Sequence, residues 1–196
     1  MKKTILFRCI FLMSFSFVIS QEKQDSVSVH TNPIFFTGVN LGYTNGELRG
    51  INTSFDVNYQ SKNNLITFKY AIIAEIKEFL LFPIIITETE QYSLLYGKRY
   101  LIDGFSYHFS GGISYNSTND RRINETCNYF GFPIEIGANW FHSEKKRFRI
   151  LYGLIPIGKP TGFGRSIGLK FYANIAKKSY VGLGLNLGLG WHKKYK

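Results

Sequence analysis

The 196-residue sequence predicts an all-β fold, an eight-stranded antiparallel transmembrane β-barrel, and three observations support this prediction. The segment 181–192 reads VGLGLNLGLGWH, so large apolar side chains alternate with glycine, asparagine and histidine. Successive side chains of a strand point to opposite faces, so one face is apolar and the other small or polar. The segment is also close to the roughly 9–11 residues of a membrane-crossing strand, about twice an average soluble one. Finally, aromatic residues make up 17% of the chain, which suits strands and membrane-interface girdles.

The N-terminus has the pattern of an export signal. Lys2, Lys3 and Arg8 precede or enter an apolar run that is too short for a membrane-spanning helix, and cleavage is expected after Ser20. The expected organisation is a signal peptide at 1–20, a short periplasmic segment at 21–34, an outer-membrane barrel at 35–192 and a polar tail at 193–196.

Composition limits the chemistry of the mature chain. The full sequence carries 24 basic and 13 acidic residues, and removal of the signal peptide leaves 21 against 13, a net charge of +8. Cys127 is then the only cysteine, which excludes an intramolecular disulfide and cysteine-cluster metal sites. The sequence predicts neither a cofactor nor a metal.

Eight alternating segments account for the predicted barrel wall: 39–43, 51–59, 66–74, 92–100, 105–113, 130–140, 167–175 and 181–192. Their polar faces are rich in glycine, serine and asparagine, which suits a crowded lumen. A water-facing sheet, as in a soluble exported β-sandwich or lipocalin-like barrel, would carry more lysine and glutamate. On the apolar faces, the residues expected to contact lipid include Phe55, Phe68, Phe109, Ile136, Leu185, Leu187 and Trp191.

Alternation directs several charged residues into the lumen. The predicted charge network consists of Asp56, Lys69, Glu75, Arg99, Glu135 and Lys170. An eight-stranded barrel is just wide enough to be filled by its own side chains, and charges confined there must be paired. The sequence therefore predicts a closed, salt-bridged interior, with a narrow channel as the alternative.

The connections alternate in length only in part. If the N-terminus is periplasmic, the long segments 77–91 and 116–128 face outward, and Cys127 is extracellular. The segment 142–163 is long where a short periplasmic turn is expected. Its part 148–157 is apolar enough to add a hairpin, which would raise the strand count to ten.

Four stretches carry a resemblance to known proteins: YSLLYGKR at 92–99, FSYHFSGGISY at 105–115, GFPIEI at 131–136 and the glycine-spaced end at 168–190. Together they resemble a group of small outer-membrane β-barrel proteins of Bacteroidota. The resemblance covers about residues 36–192 and implies an integral outer-membrane protein, but it brings no catalytic or ligand residues. The insertion at 142–163 and the C-terminal Lys196 depart from the pattern. Many outer-membrane barrels end on an aromatic residue that the assembly machinery recognises, and here Trp191 and Tyr195 are the candidates.

Chemical motifs are sparse. His108 and Ser110 share a polar face, and a His-x-Ser pair on a barrel strand resembles the arrangement of lipid A 3-O-deacylases, where that pair faces lipid. A lipid A-modifying acyl hydrolase is therefore a further alternative to a non-enzymatic barrel with a structural or surface-interaction role. The basic runs 145–147, 177–178 and 121–122 are expected to meet lipopolysaccharide or phospholipid phosphates, or water, rather than nucleic acid. The expected partners are outer-membrane lipid, lipopolysaccharide and the barrel-assembly machinery.

Overall fold

The computed structural model describes residues 32–77, 84–123, 125–150 and 155–195, so the predicted signal peptide lies outside the described residues. The described chain forms strands joined by short turns. Their bounds are β1 (Ile34–Gly46), β2 (Gly50–Ser61), β3 (Asn64–Lys77), β4 (Ile84–Ile102), β5 (Phe105–Asp120), β6 (Glu125–Phe141), β7 (Lys146–Ile150), β8 (Ile155–Thr161), β9 (Phe163–Ala176) and β10 (Tyr180–Trp191). Among the described residues, no helix is long and apolar enough to cross a membrane.

Eight of these strands close into a barrel in the order β1-β10-β9-β6-β5-β4-β3-β2, and every neighbouring pair is antiparallel. A path that steps between paired residues from Ile34 around the wall returns to β1 at Thr44, ten residues further along. This stagger requires the strands to tilt relative to the barrel axis. The predicted eight-stranded antiparallel barrel is confirmed.

The remaining two strands, β7 and β8, form a separate two-stranded sheet within the long β6–β9 connection. The extra hairpin considered from the sequence therefore exists, but it does not join the barrel wall. Its position is explained by pairing: β6 and β9 bond directly to each other from Gly131 to Phe141, which leaves no gap in the wall for another hairpin.

Several strands are longer than the sequence predicts. β5 continues to Asp120 and β6 begins at Glu125, so most of the predicted loop 116–128 is strand, and Cys127 is paired opposite Thr118 within β6. β4 likewise begins at Ile84, inside the predicted loop 77–91. The alternation that reveals a strand in a membrane is lost here, because 116–120 is polar on both faces and 84–86 is apolar on both, although the backbone ladder continues.

One inward position of the wall interrupts the ladder. Between Gly111 and Ser114, β5 has no partner residues on β6, and the position opposite this gap is Pro133. Proline has no backbone N–H and cannot donate to the ladder, which explains the interruption.

The barrel has two ends, which we name by the chain termini. The terminal end carries the start of β1, the end of β10, the turns at 62–63 and 103–104, and the β7–β8 hairpin. The far end carries the turns at 47–49, 121–123 and 177–179.

Candidate functional site

The outer face of the barrel is apolar over its whole middle. Leu185 is 58% exposed and its strand neighbour Leu187 is 61% exposed, whereas the intervening Asn186 is buried. The structure also places Phe55, Phe68, Phe109 and Ile136 on this exposed outer face, and Trp191 is half-buried against the ring of Phe163.

Aromatic residues border the apolar face at both ends. At the terminal end they include Phe35, Tyr59, Tyr107, Trp140 and Trp191, and at the far end Tyr43, Tyr92, Tyr115, Phe130 and Phe132. Soluble monomers rarely expose an apolar patch larger than a few hundred Å², and this belt encircles the molecule. An apolar band between two aromatic girdles is the exterior of a transmembrane barrel.

Four buried charges meet in the middle of the lumen. Lys69 Nζ donates to Glu135 Oε2 at 2.9 Å, and Lys170 Nζ donates to Asp56 Oδ1 at 2.7 Å. Lys170 Nζ also lies 3.2 Å from Glu135 Oε1, so the two pairs form one group, which we name the central quartet. Because it holds two acids and two bases, the central quartet is neutral as a whole.

Polar neighbours complete the central quartet. His108 Nε2 lies 3.3 Å from Glu135 Oε1, and the Asn58 side-chain amide donates to Asp56 Oδ2. Lys69 Nζ also lies 4.8 Å from the centre of the Tyr172 ring, within the range of a cation–π contact. The buried carboxylates thus accept from several donors each, which offsets the cost of removing them from water.

Arg99 does not join the central quartet, although the sequence analysis placed it there. Its guanidinium is fully buried towards the terminal end, where Nη1 donates to Gln60 Oε1 at 2.7 Å and to the His192 carbonyl at 2.8 Å. Nη2 donates to Ser106 Oγ at 2.9 Å. The guanidinium also lies over the rings of Phe36 and Phe141, 4.6 and 5.6 Å from their centres. No carboxylate among the described residues lies within ion-pair distance of it.

Glu75 is the second residue that departs from the predicted network. It lies six residues beyond Lys69 along β3, next to a register shift between Glu75 and Ile76, and it is only half-buried. It borders a cavity at the far end together with Arg49 and Arg122. Alternation predicts the face of the strand on which Glu75 lies, but not its position along the barrel axis, because a tilted strand continues past the membrane.

Three residues at the far end form a polar layer that the sequence analysis missed. Asn174 Nδ2 donates to Asn116 Oδ1 at 3.1 Å, Ser114 Oγ donates to Asn174 Oδ1 at 3.2 Å, and Asn116 Nδ2 donates to Ser114 Oγ at 3.1 Å. All three side chains are buried. The sequence does show asparagine at inward positions of separate strands. It does not give the strand register that brings these side chains together.

Glycines explain how such large side chains fit inside. A Cβ at Gly137 would collide with the His108 ring, and one at Gly182 would collide with the Tyr172 ring. A Cβ at Gly38 would lie 2.8 Å from Asp56 Oδ2. The glycine-rich faces that predicted a narrow lumen are therefore the spaces into which lumen side chains extend.

The sequence-predicted polar tail contains a buried aromatic residue. The Tyr195 ring packs over Gly162, its hydroxyl donates to the His142 carbonyl at 2.8 Å, and its backbone N–H donates to Asn32 Oδ1 at 2.9 Å. Burial raises the pKa of the Tyr195 phenol above its ordinary value, so the hydroxyl remains a neutral donor. The tail thus joins Asn32, just before β1, to the β6–β7 connection.

The His108 and Ser110 side chains both point into the lumen and are buried. The His108 ring contacts Glu135, whereas Ser110 Oγ has no hydrogen-bond partner among the described residues. A serine nucleophile requires a hydrogen bond to its base, and here the two side chains are not so joined.

No protein-family model matches the sequence, and no curated protein sequence matches it significantly. Solved structures do. The N-terminal β-barrel domain of Pseudomonas aeruginosa OprF aligns with a TM-score of 0.52 at 10% identity, covering 82% of this chain and 98% of that one. Neisserial surface protein A aligns at 0.48 and 11% identity over 82% and 99% of the two chains. Ail, the attachment invasion locus protein of Yersinia pestis, aligns at 0.46 and 11% over 80% and 95%.

At these identities, the likeness bears on architecture alone, and the alignment with the OprF domain supports it. The assignment to a Bacteroidota group stays a prediction. The barrel order, the apolar exterior and this alignment agree: the chain has the fold of an eight-stranded outer-membrane β-barrel.

Proposed function

We propose that the protein is an integral outer-membrane β-barrel without enzymatic activity, with a closed lumen and a structural or surface-interaction role. The observation that carries this proposal is the central quartet, which links strands on opposite sides of the barrel. Lys69 of β3 bonds to Glu135 of β6, and Lys170 of β9 bonds to Asp56 of β2. In each case two other strands separate the partners around the wall.

Ties of this kind support a barrier rather than a channel. A conducting lumen needs a continuous water path, whereas the central quartet places four long side chains across the narrowest kind of barrel. On the terminal side of the central quartet, Arg99 is held between two aromatic rings. On its far side, Tyr180 donates to Gln91 and packs with Leu48, Ile73 and Tyr172. The lumen is therefore obstructed at three levels along its axis.

We orient the barrel with both termini in the periplasm, which places the long β6–β9 connection on the periplasmic side, where such barrels usually have short turns. The far end then faces the cell exterior and the lipopolysaccharide leaflet, where the turns 47–49, 121–123 and 177–179 are available for contact. Insertion by the barrel-assembly machinery belongs to the same proposal, and Trp191 at the end of β10 is the aromatic residue offered to it.

Conductance in planar bilayers tests the closed lumen. Purified protein that shifts its gel mobility on heating, as folded barrels do, is expected to give no steady single-channel conductance. The double variant Lys69→Ser/Glu135→Ser removes one cross-lumen tie but leaves the neutral Asp56–Lys170 pair and the obstructions at Arg99 and Tyr180, so it is also expected to give no steady conductance. Steady conductance from the wild type would establish the narrow channel instead.

The non-enzymatic part of the proposal is supported by the position of His108 and Ser110, which are buried beside the central quartet and away from the lipid-facing wall. Release of fatty acid from purified lipid A by the folded protein is the measurement. No release is expected. Release that disappears in Ser110→Ala, while the variant still folds, would restore the acyl hydrolase.

A further inference from the structure

Charge is divided unequally between the two ends of the barrel. Apart from the buried Arg99, ten of the described residues at the terminal end are basic: Lys62 and Lys98, six between 145 and 165, and Lys193 and Lys194. Only Asp103 and Glu144 are acidic there, and Asp103 is paired with Lys193 at 3.2 Å. The terminal end thus carries a net charge of +8.

The far end has no such excess. Its described segments 47–49, 75–77, 84–90, 120–125 and 177–178 hold six basic and six acidic residues. Several of these are paired locally, including Arg121 with Glu88 and Arg122 with Asp120. Nearly all of the net positive charge of the described residues therefore belongs to one end of the barrel.

Two basic residues of the terminal end lie on the outer wall at the level of an aromatic girdle. Lys98 is exposed on the outer face of β4, between Tyr96 and Tyr100. Arg165 is exposed on the outer face of β9, opposite Leu189 of β10 and between Phe163 and Ile167. Lysine and arginine at this height can lie with their apolar stems along the wall and their charges among lipid headgroups.

The β7–β8 hairpin adds to this surface. Lys145, Lys146, Arg147 and Lys159 are exposed on or beside it. A hairpin outside the wall contributes no pairing to the barrel, yet these four residues are four of the ten basic residues counted at the terminal end. Such a concentration of positive charge is not neutralised by a lipid surface without net charge. The phosphates of anionic headgroups do neutralise it.

We infer that the terminal end of the barrel binds the headgroups of anionic phospholipids in the membrane leaflet that surrounds it. The site consists of the outward-facing Lys98 and Arg165 in the girdle and the cationic segment 145–147 beside the hairpin. A lipid leaflet fits better than a soluble acidic partner because Lys98 and Arg165 lie on the lipid-facing wall, where a soluble partner has no access. The orientation rests on the proposed function, but the lipid preference does not require a closed lumen.

The test uses folded, full-length mature protein in micelles that contain equal amounts of phosphatidylglycerol and phosphatidylcholine, with retained lipids counted by native mass spectrometry. The chain offers a matched pair of variants, because an exposed or half-exposed dilysine is present at each end, at 145–146 and at 177–178. Lys145→Glu/Lys146→Glu reverses charge at the terminal end, and Lys177→Glu/Lys178→Glu does so at the far end. Since each basic residue near an anionic surface changes affinity by a factor of about five, the first variant is expected to lower the phosphatidylglycerol preference by roughly tenfold or more.

The wild type and the far-end variant are expected to keep a preference for phosphatidylglycerol that weakens as salt is raised. Lys98→Gln/Arg165→Gln should also reduce it, which keeps the test valid if the charge reversal impairs folding. No preference in the wild type would overturn the inference, as would equal losses in both dilysine variants. Binding of a soluble polyanion to the same dilysine, without lipid preference, would overturn it in favour of a soluble partner. Failure of the proposed function would instead appear as conductance or as loss of heat-modifiability.

Discussion

Glu135 shows how one buried residue can organise a lumen. Its carboxylate lies within bonding distance of Lys69, Lys170 and His108, which come from three different strands. An isolated carboxylate in this position would be strongly disfavoured, and so would the two ammonium groups if the carboxylate were removed. The stability attributed to Glu135 is therefore mainly the avoided cost of leaving its partners unpaired.

Replacement of Glu135 by alanine is expected to destabilise the folded barrel by about 3–5 kcal/mol, because Lys69 loses its carboxylate partner inside the lumen. Glu135→Gln retains an oxygen acceptor and should do less harm. Urea unfolding in lipid vesicles, followed by heat-modifiability, measures both. Glu125→Ala is the control, since Glu125 begins the same strand but is exposed. Equal effects of Glu125→Ala and Glu135→Ala would contradict the central quartet.

At the scale of the strand, alternation predicted which residues share a face but not what lies opposite them. β10 is the clearest case, because its apolar and glycine positions are separated without exception from Val181 to Gly190. The partners of Arg99 could not be predicted, since they depend on the register of β2, β5 and β10 and on the turn that follows β10. Strand ends at Asp120 and Ile84 escaped prediction because the end of β5 is polar on both faces and β4 begins with three isoleucines in succession, so neither extension alternates.

The outer face of β10 provides a depth scale. Leu185 lies near the middle of the apolar band and Val181 near its far edge, on the same face of the same strand. Leu185→Arg is expected to cost about 2–4 kcal/mol of folding stability in a bilayer, and Val181→Arg about 0–1 kcal/mol. Unfolding measured in vesicles distinguishes them. If both variants unfold alike, the apolar band is not in contact with lipid.

The β7–β8 hairpin is expected to be dispensable for folding, because it forms its own sheet and the wall closes by β6–β9 pairing. A variant in which a short glycine-serine turn replaces residues 146–160 should still fold and keep its heat-modifiability. Tyr195→Ala in the full-length chain is the companion variant, since it removes the contact of the tail with Gly162 and His142. A shortened chain that no longer folds would show that the hairpin supports the wall.

At the scale of the whole molecule, the two ends differ in both charge and construction. Among the described residues, the far end has short turns with balanced charge, whereas the terminal end carries the hairpin, the buried Tyr195 and the positive excess. From the sequence, the excess of basic over acidic residues is known only as a total for the chain. The strand directions show that this excess lies at one end, because they place Lys62, Lys98 and Lys194 there.

The orientation of the molecule can be tested through Cys127, the one cysteine among the described residues. Cys127 is half-exposed near the far end, with Lys177 Nζ 3.4 Å from its sulfur. With both termini periplasmic, an impermeant maleimide is expected to label Cys127 on intact cells. In a Cys127→Ser background, Lys145→Cys at the terminal end should be labelled only after the outer membrane is permeabilised. The opposite pattern in the two proteins would invert the barrel, placing the basic terminal end at the cell surface among lipopolysaccharide phosphates.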